Sequence, residues 1–103
     1  MVFGLFKDAE AERFGEELAA EVGRRYRASR MSHETASKRE AAMAKALEHI
    51  GLAAQSYRRD HKVGVLKQVG LSKIFQQKLN ELGYDDEFIK AATLRLAQAI
   101  GTK

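Results

Sequence analysis

The sequence predicts an all-α protein, a small bundle of four helices (three to five) with a long second helix. Three observations support this fold class. The chain has no proline and is rich in alanine, glutamate, lysine, arginine, leucine and glutamine, which favour helices. Its β-branched residues are scattered and do not alternate with polar residues as they would in a strand. Its apolar residues instead recur every three or four positions, which is the spacing of one helix face.

The size and composition indicate a single helical domain over 1–103. The chain has 103 residues, of which 45% are hydrophobic, enough for one core and too few for two. It has no cysteine, which excludes disulfides, thiolate metal sites and thiol nucleophiles. No segment approaches the apolar length of a membrane span. We therefore expect a cytoplasmic protein with no membrane span.

The first helix is predicted over residues 8 to about 28. Acidic residues crowd its first half and arginines close it, so that each charge lies where the helix dipole favours it. Its apolar residues lie on one face: Ala11, Phe14, Leu18, Val22 and Tyr26. The segment before it, 1–7, is apolar and contains Phe3, Leu5 and Phe6. We expect this segment to pack across the bundle or onto a partner chain.

The second helix is predicted to begin after Ser32, which can cap it, with Glu34 in its first turn. It continues to about Lys62, with Gly64 beyond its end as a candidate cap. Such a helix is on the order of 45 Å long, more than a compact domain of this size needs. Its apolar residues follow the spacing of a coiled-coil seam: Met43, Leu47, Ile50, Ala54 and Tyr57.

The third and fourth helices are predicted on either side of Gly83. The third spans about 65 to 82, with a potential break at Gly70. Its apolar face consists of Leu71, Ile74, Phe75, Leu79 and Leu82. Gly83 is a typical left-handed helix stop, and Asp85 can cap the fourth helix. That last helix should bury Phe88, Ile89, Ala92, Leu96 and Ile100.

We interpret the chain as a non-enzymatic interaction or assembly module, with itself as the expected partner in a homodimer and another protein as a second option. A helix this long has few other helices to cover its seam, and a two-fold copy would cover it. The predicted interface combines the apolar N-terminus with that seam: Phe3, Leu5, Phe6, Met43, Leu47, Ile50, Ala54 and Tyr57.

The alternative interpretation is a nucleic-acid-binding protein with a degenerate helix-turn-helix at 65–80. The net charge is +4, and the stretch VGLSKIFQQKLNELG resembles the start of a recognition helix, with Lys73, Gln76 and Gln77 facing the groove. Two packing positions disagree with the motif. Leu66 stands where a small residue is usual, and Gln76 stands where an aliphatic core residue is usual.

Two arginine-rich segments, 24–30 and 57–62, also suggest a polyanion partner. Both fall at predicted helix C-termini, where cations complement the helix dipole. If the first two helices form an antiparallel hairpin, these segments lie at opposite ends of the bundle. We therefore expect two separate caps and not one phosphate-binding patch.

No catalytic, cofactor or metal site is predicted. His33 and Glu34 begin like a zinc-protease motif, but Ser37 stands where the second histidine is required. His49 and His61 are more than three helical turns apart, too far to share a metal. We expect the histidines and carboxylates to face solvent.

Overall fold

A computed structural model describes residues 9–28, 35–61 and 63–101, with the side chains of 65 and 66 excepted. Within these ranges the chain forms four helices and no strand. The helices are α1 (Ala9–Arg25), α2 (Ala36–Asp60), α3 (Val65–Glu81) and α4 (Asp86–Gly101). The prediction of a small all-α bundle is confirmed, and α2, with 25 residues, is the longest of these helices.

The helices are not arranged in chain order around the bundle. α1 packs mainly on α3, α2 packs mainly on α4, and α3 and α4 form a hairpin. Gly15 lies against Leu71 and Gly23 against Leu82, so α1 and α3 run parallel. Contacts between α1 and α2 are sparse by comparison. The order around the bundle is therefore α1, α3, α4, α2.

The second parallel pair consists of α2 and α4. Arg39 at the start of α2 forms an ion pair with Asp85, which precedes α4. Further along, Gly51 lies directly beneath the guanidinium of Arg95. The earlier residue of α2 contacts the earlier residue of the α4 region, and the later contacts the later. The two helices therefore run parallel.

The core is apolar throughout, and no polar or charged residue is buried in the described ranges. The burial of α4 follows the prediction. The largest fully buried side chains are Phe75, Phe88, Ile50, Leu71, Leu79, Leu96, Ile100 and Val22. On α3 the predicted apolar face is only partly correct, because Ile74 is half-buried and Leu82 is exposed.

Small residues bring the backbones of α1 and α3 close together. Ala11, Gly15, Ala19 and Gly23 recur every four positions, and Ala11, Gly15 and Ala19 are buried. A Cβ atom on Gly15 would lie 2.7 Å from the backbone oxygen of Leu71. The two backbones are so close that no side chain fits between them. Helices can approach this closely only where the facing residues are small.

The turn between α3 and α4 is formed as predicted. Gly83 has a φ of 91°, a left-handed conformation that favours glycine. The Oδ1 atom of Asp85 accepts a hydrogen bond of 2.9 Å from the backbone N–H of Phe88, which caps α4.

Tyr84, between these two caps, joins the turn to the end of α1. Its hydroxyl faces the carbonyl oxygens of Val22, at 3.2 Å, and Tyr26, and donates its proton to this pair. Its ring stacks on Phe88 at 4.6 Å. Burial raises the pKa of Tyr84 from 10.0 to about 12, because the phenolate would be poorly solvated.

Several predicted boundaries are wrong. Thr35 caps α2 in place of Ser32, its side chain accepting from the N–H of Lys38, and the helix ends at Asp60. Its length is about 37 Å at 1.5 Å per residue, shorter than predicted. Gly64 precedes α3 and does not cap α2. The third helix continues unbroken through Gly70, where no other atom crowds the backbone.

We predict opposite effects for two glycine-to-alanine changes inside helices. Gly15→Ala should destabilise the fold by about 1 kcal/mol or more, because overpacking against Leu71 outweighs the better helix propensity of alanine. Gly70→Ala, which meets nothing within 4 Å, should stabilise by roughly 0.5 to 1 kcal/mol. Urea unfolding measures both. A stabilising Gly15→Ala would show that α1 and α3 are further apart than described.

Tyr84→Phe should cost about 1 kcal/mol of unfolding free energy, because the carbonyl oxygens at the end of α1 lose their donor. The raised pKa predicts a pH effect as well. The hydroxyl's contribution is complete below pH 10, the unfolded value, and is lost as the pH rises towards about 12. The stability difference between wild type and variant should therefore shrink over this window. A constant difference would contradict the assignment.

Candidate functional site

An open groove of about 550 Å³ runs along the α3–α4 hairpin. We refer to it as the α3–α4 groove. Its lining residues come from both helices: Lys73, Gln76, Gln77, Asn80, Asp86 and Ile89. The four from α3 are exposed and lie three, four and seven positions from Lys73, on one helix face. They face outwards because the opposite face of α3 is committed to the core.

The groove carries one charge of each sign and three carboxamides. Lys73 supplies the positive charge and Asp86, in the first turn of α4, the negative one. Neither side chain forms an ion pair within the described part of the chain. The carboxamides can each donate and accept hydrogen bonds. The buried side chain of Ile89 forms an apolar part of the lining.

An exposed apolar residue lies on the same face of α3 as the groove residues. Val69 precedes Lys73 by one helical turn on the same face of α3, and 57% of its surface is exposed. Beside it, the side-chain amide of Gln68 donates to the carbonyl oxygen of Ala97 at 3.4 Å, which links the two helices. The exposed face of α3 thus combines the polar groups of the groove with one apolar residue.

The structure brings together the three residues predicted for nucleic-acid contact. Lys73, Gln76 and Gln77 all line the α3–α4 groove. The predicted helix-turn-helix at 65–80 is not formed, however, because α3 is a single helix and contains no turn at Gly70. Gln76 is exposed, so it takes no part in the packing that the motif would require.

The predicted interface stripe on α2 lies inside the chain's own bundle. Ile50 and Ala54 are fully buried, and Met43, Leu47 and Tyr57 pack against the core. Helix α4 lies along α2, so the chain's own fourth helix covers part of this stripe. The other three predicted interface residues, Phe3, Leu5 and Phe6, lie outside the described residues.

The arginine clusters do not converge in the described ranges. Arg24 and Arg25 end α1, beside the α3–α4 turn, where Gly23 contacts Leu82. Arg58 and Arg59 end α2 at the opposite end of the bundle, near the start of α1. The expectation of two separate helix caps agrees with this arrangement.

The described ranges contain neither a metal-binding cluster nor a membrane-spanning helix. No group of three or more histidines and carboxylates there is arranged to hold a metal ion. None of the helices has the length and apolar character needed to cross a membrane.

Comparisons with known proteins find no relative of this chain. No protein-family model matches it, no curated protein matches it and no solved structure matches it.

Proposed function

We propose that this chain is a non-enzymatic interaction module that forms a homodimer through the α3–α4 groove. The observation that carries the proposal concerns Lys73 and Asp86, which have opposite charges and form no ion pair within the described residues. The two side chains lie at different heights along the same groove. A surface with one charge of each sign is complementary to a second copy of itself. A cytoplasmic location belongs to the same proposal and is supported only by the cysteine-free composition.

The geometry of a symmetric dimer follows from the hairpin. Most small homo-oligomers are two-fold dimers in which the same surface faces itself. If two hairpins meet in opposite directions, Lys73 lies against the partner's Asp86, and each charge pair occurs twice. Gln76 and Gln77 then fall near the two-fold axis, where their carboxamides can hydrogen-bond with their own copies.

The composition of the surface indicates a reversible dimer. Val69 adds apolar area, but most of the groove is polar and water must be removed from its charges. Permanent homodimers usually bury larger and more apolar surfaces. We therefore expect association that depends on concentration and weakens with salt.

We predict that charge reversal separates the two copies and that a double reversal restores them. Lys73→Glu or Asp86→Lys places like charges opposite each other twice per dimer, which should raise the dissociation constant about tenfold or more. The double variant regains opposite charges and should dimerise like wild type. Lys45→Glu on the exposed face of α2 changes the net charge as Lys73→Glu does and serves as the control for that variant.

Analytical ultracentrifugation over a concentration series measures these constants, and circular dichroism verifies that each variant is folded. A wild-type chain that stays monomeric at high concentration contradicts the proposal. So does a dimer that tolerates both single reversals.

The second candidate function is nucleic-acid binding by the same groove. One observation favours it, namely that Lys73, Gln76 and Gln77 converge on one surface. Lysine contacts phosphates, and glutamine can read the edge of adenine. Asp86 argues against it, because its carboxylate would repel a phosphate backbone at the same surface. The homodimer accounts for both charges and is the proposal we favour.

We predict no binding to a generic DNA duplex at low salt, about 50 mM, where counterion release favours association most. Fluorescence anisotropy with a labelled duplex measures it. Binding that falls steeply with salt and weakens in Lys73→Ala, but not in Lys45→Ala, would establish the second candidate instead.

A further inference from the structure

His49 of α2 and His61, which follows the last residue of α2, contact glutamates of α1. The Nε2 atom of His49 lies 3.0 Å from Oε1 of Glu21, and the Nε2 atom of His61 lies 2.8 Å from Oε1 of Glu10. Few other contacts join these two helices. The two histidines therefore supply a large share of the polar contact between these helices. We refer to the two contacts as the α1–α2 seam.

The geometry around His61 suits its doubly protonated ring. Its Nδ1 atom lies 3.1 Å from the carbonyl oxygen of Tyr57, while Nε2 faces the Glu10 carboxylate. A neutral imidazole has one N–H and can donate to only one of these two acceptors. An imidazolium donates to both, and its charge also faces the carboxylate.

An aromatic stack strengthens the same contact. The ring of Tyr57 lies between Phe14 of α1, at 4.1 Å, and His61, at 4.2 Å, with both neighbours nearly parallel to it. A cation over an aromatic ring is attracted by the ring's electrons. Protonation of His61 thus favours the stack as well as the contact with Glu10.

The contact of His49 is the weaker of the two. The Glu21 oxygen that it approaches also lies 3.4 Å from the guanidinium of Arg25, so two cations would share one carboxylate. The Nε2 atom of His49 lies within ion-pair distance of the Glu21 oxygen, but the two groups are not aligned for a hydrogen bond. Lys45, one turn earlier on α2, adds a further positive charge.

Other charged residues lie around His61. On α2, Arg58 is one turn before it and Asp60 is adjacent, and on α1, Arg13 lies one turn after Glu10. From α3, the register of Gly15 on Leu71 places Lys67 at the height of Ala11. These cations oppose an imidazolium over longer distances, whereas Glu10 is in direct contact.

We infer that the α1–α2 seam is a pH-sensitive latch, which tightens when protons bind His61 and, to a smaller extent, His49. Histidine generally gains its proton between about pH 7.5 and 5.5, where glutamate is still ionised. Protonation gives His61 a second N–H donor and a charge facing Glu10, in contacts that only the folded chain makes, so we expect stability to rise as the pH falls. The inference goes beyond the proposed function, since the seam lies on different helices from the groove and does not require a dimer.

The expected rise in stability at low pH is opposite to the general effect of acid on this chain. The net charge is already +4 with neutral histidines, so further protons increase the repulsion within the folded molecule. A stability that rises on acidification therefore requires specific contacts such as those of the seam.

The test compares melting temperatures at pH 7.5 and 5.5. Wild type should melt about 4 °C higher at the lower pH, as expected for one or two modest ion pairs in a domain of this size. Glu10→Gln and His61→Gln should each remove most of this rise, and His49→Gln a smaller part. Glu87→Gln, which removes an exposed carboxylate from the first turn of α4, is the matched control for Glu10→Gln and should keep the full rise.

Hydrogen exchange locates the effect. After correction for intrinsic exchange rates, amides at the start of α1 and the end of α2 should be better protected at pH 5.5 in wild type, and not in Glu10→Gln. All measurements are repeated in the Lys73→Glu background, which separates the latch from any dimer.

Two outcomes overturn the inference. One is a wild-type melting temperature that is equal or lower at pH 5.5. The other is a double variant, Glu10→Gln with Glu21→Gln, that keeps the full rise. The Glu10 side chain is 65% exposed, so its substitution leaves the core intact and the test does not depend on a folding-defective variant.

Discussion

The close approach of α1 to α3 is the constraint on which the rest of the bundle depends. With Gly15 against the backbone of Leu71, these two helices are held side by side and parallel. Because α2 lies between them in sequence and must run back along the bundle, it packs on α4 and meets α1 only sparsely. The outer face of α3 is left free and lines the α3–α4 groove. Both candidate functional surfaces thus follow from one backbone contact.

The sequence predicts which faces are buried better than it predicts their partners. Apolar spacing identified the core of α4, and Gly83 and Asp85 marked the turn before it, because these are local effects. The neighbours of each helix depend on contacts between residues that are distant in sequence. Apolar spacing therefore does not indicate that α4 packs along α2. One signal was available: the four-residue spacing of Ala11, Gly15, Ala19 and Gly23 indicates a close helix contact.

The α3–α4 groove and the α1–α2 seam are likewise only partly predictable from the sequence. The spacing of Lys73, Gln76 and Gln77 on one helix indicates that they share a face, and they line one groove. The turn expected at Gly70 is absent, since a single glycine is tolerated within a helix. Asp86 joins them only because the hairpin folds back. The contact of His61 with Glu10 joins residues of two helices, and no spacing within either helix indicates it.

The parallel pairing has a consequence for the order in which the chain can fold. The main partner of α1 is α3, and the donor for the carbonyl oxygens at its end is Tyr84, so a chain emerging from the ribosome completes α1 long before either is available. The first half of the protein, α1 with α2, has little mutual contact and no complete core of its own. Assembly therefore waits for the C-terminal hairpin, and the nascent chain exposes its glycine and alanine stripe until then. Completing the core of α1 thus requires contacts between helices that are not adjacent in the chain, whereas contacts in small helical proteins are mostly local.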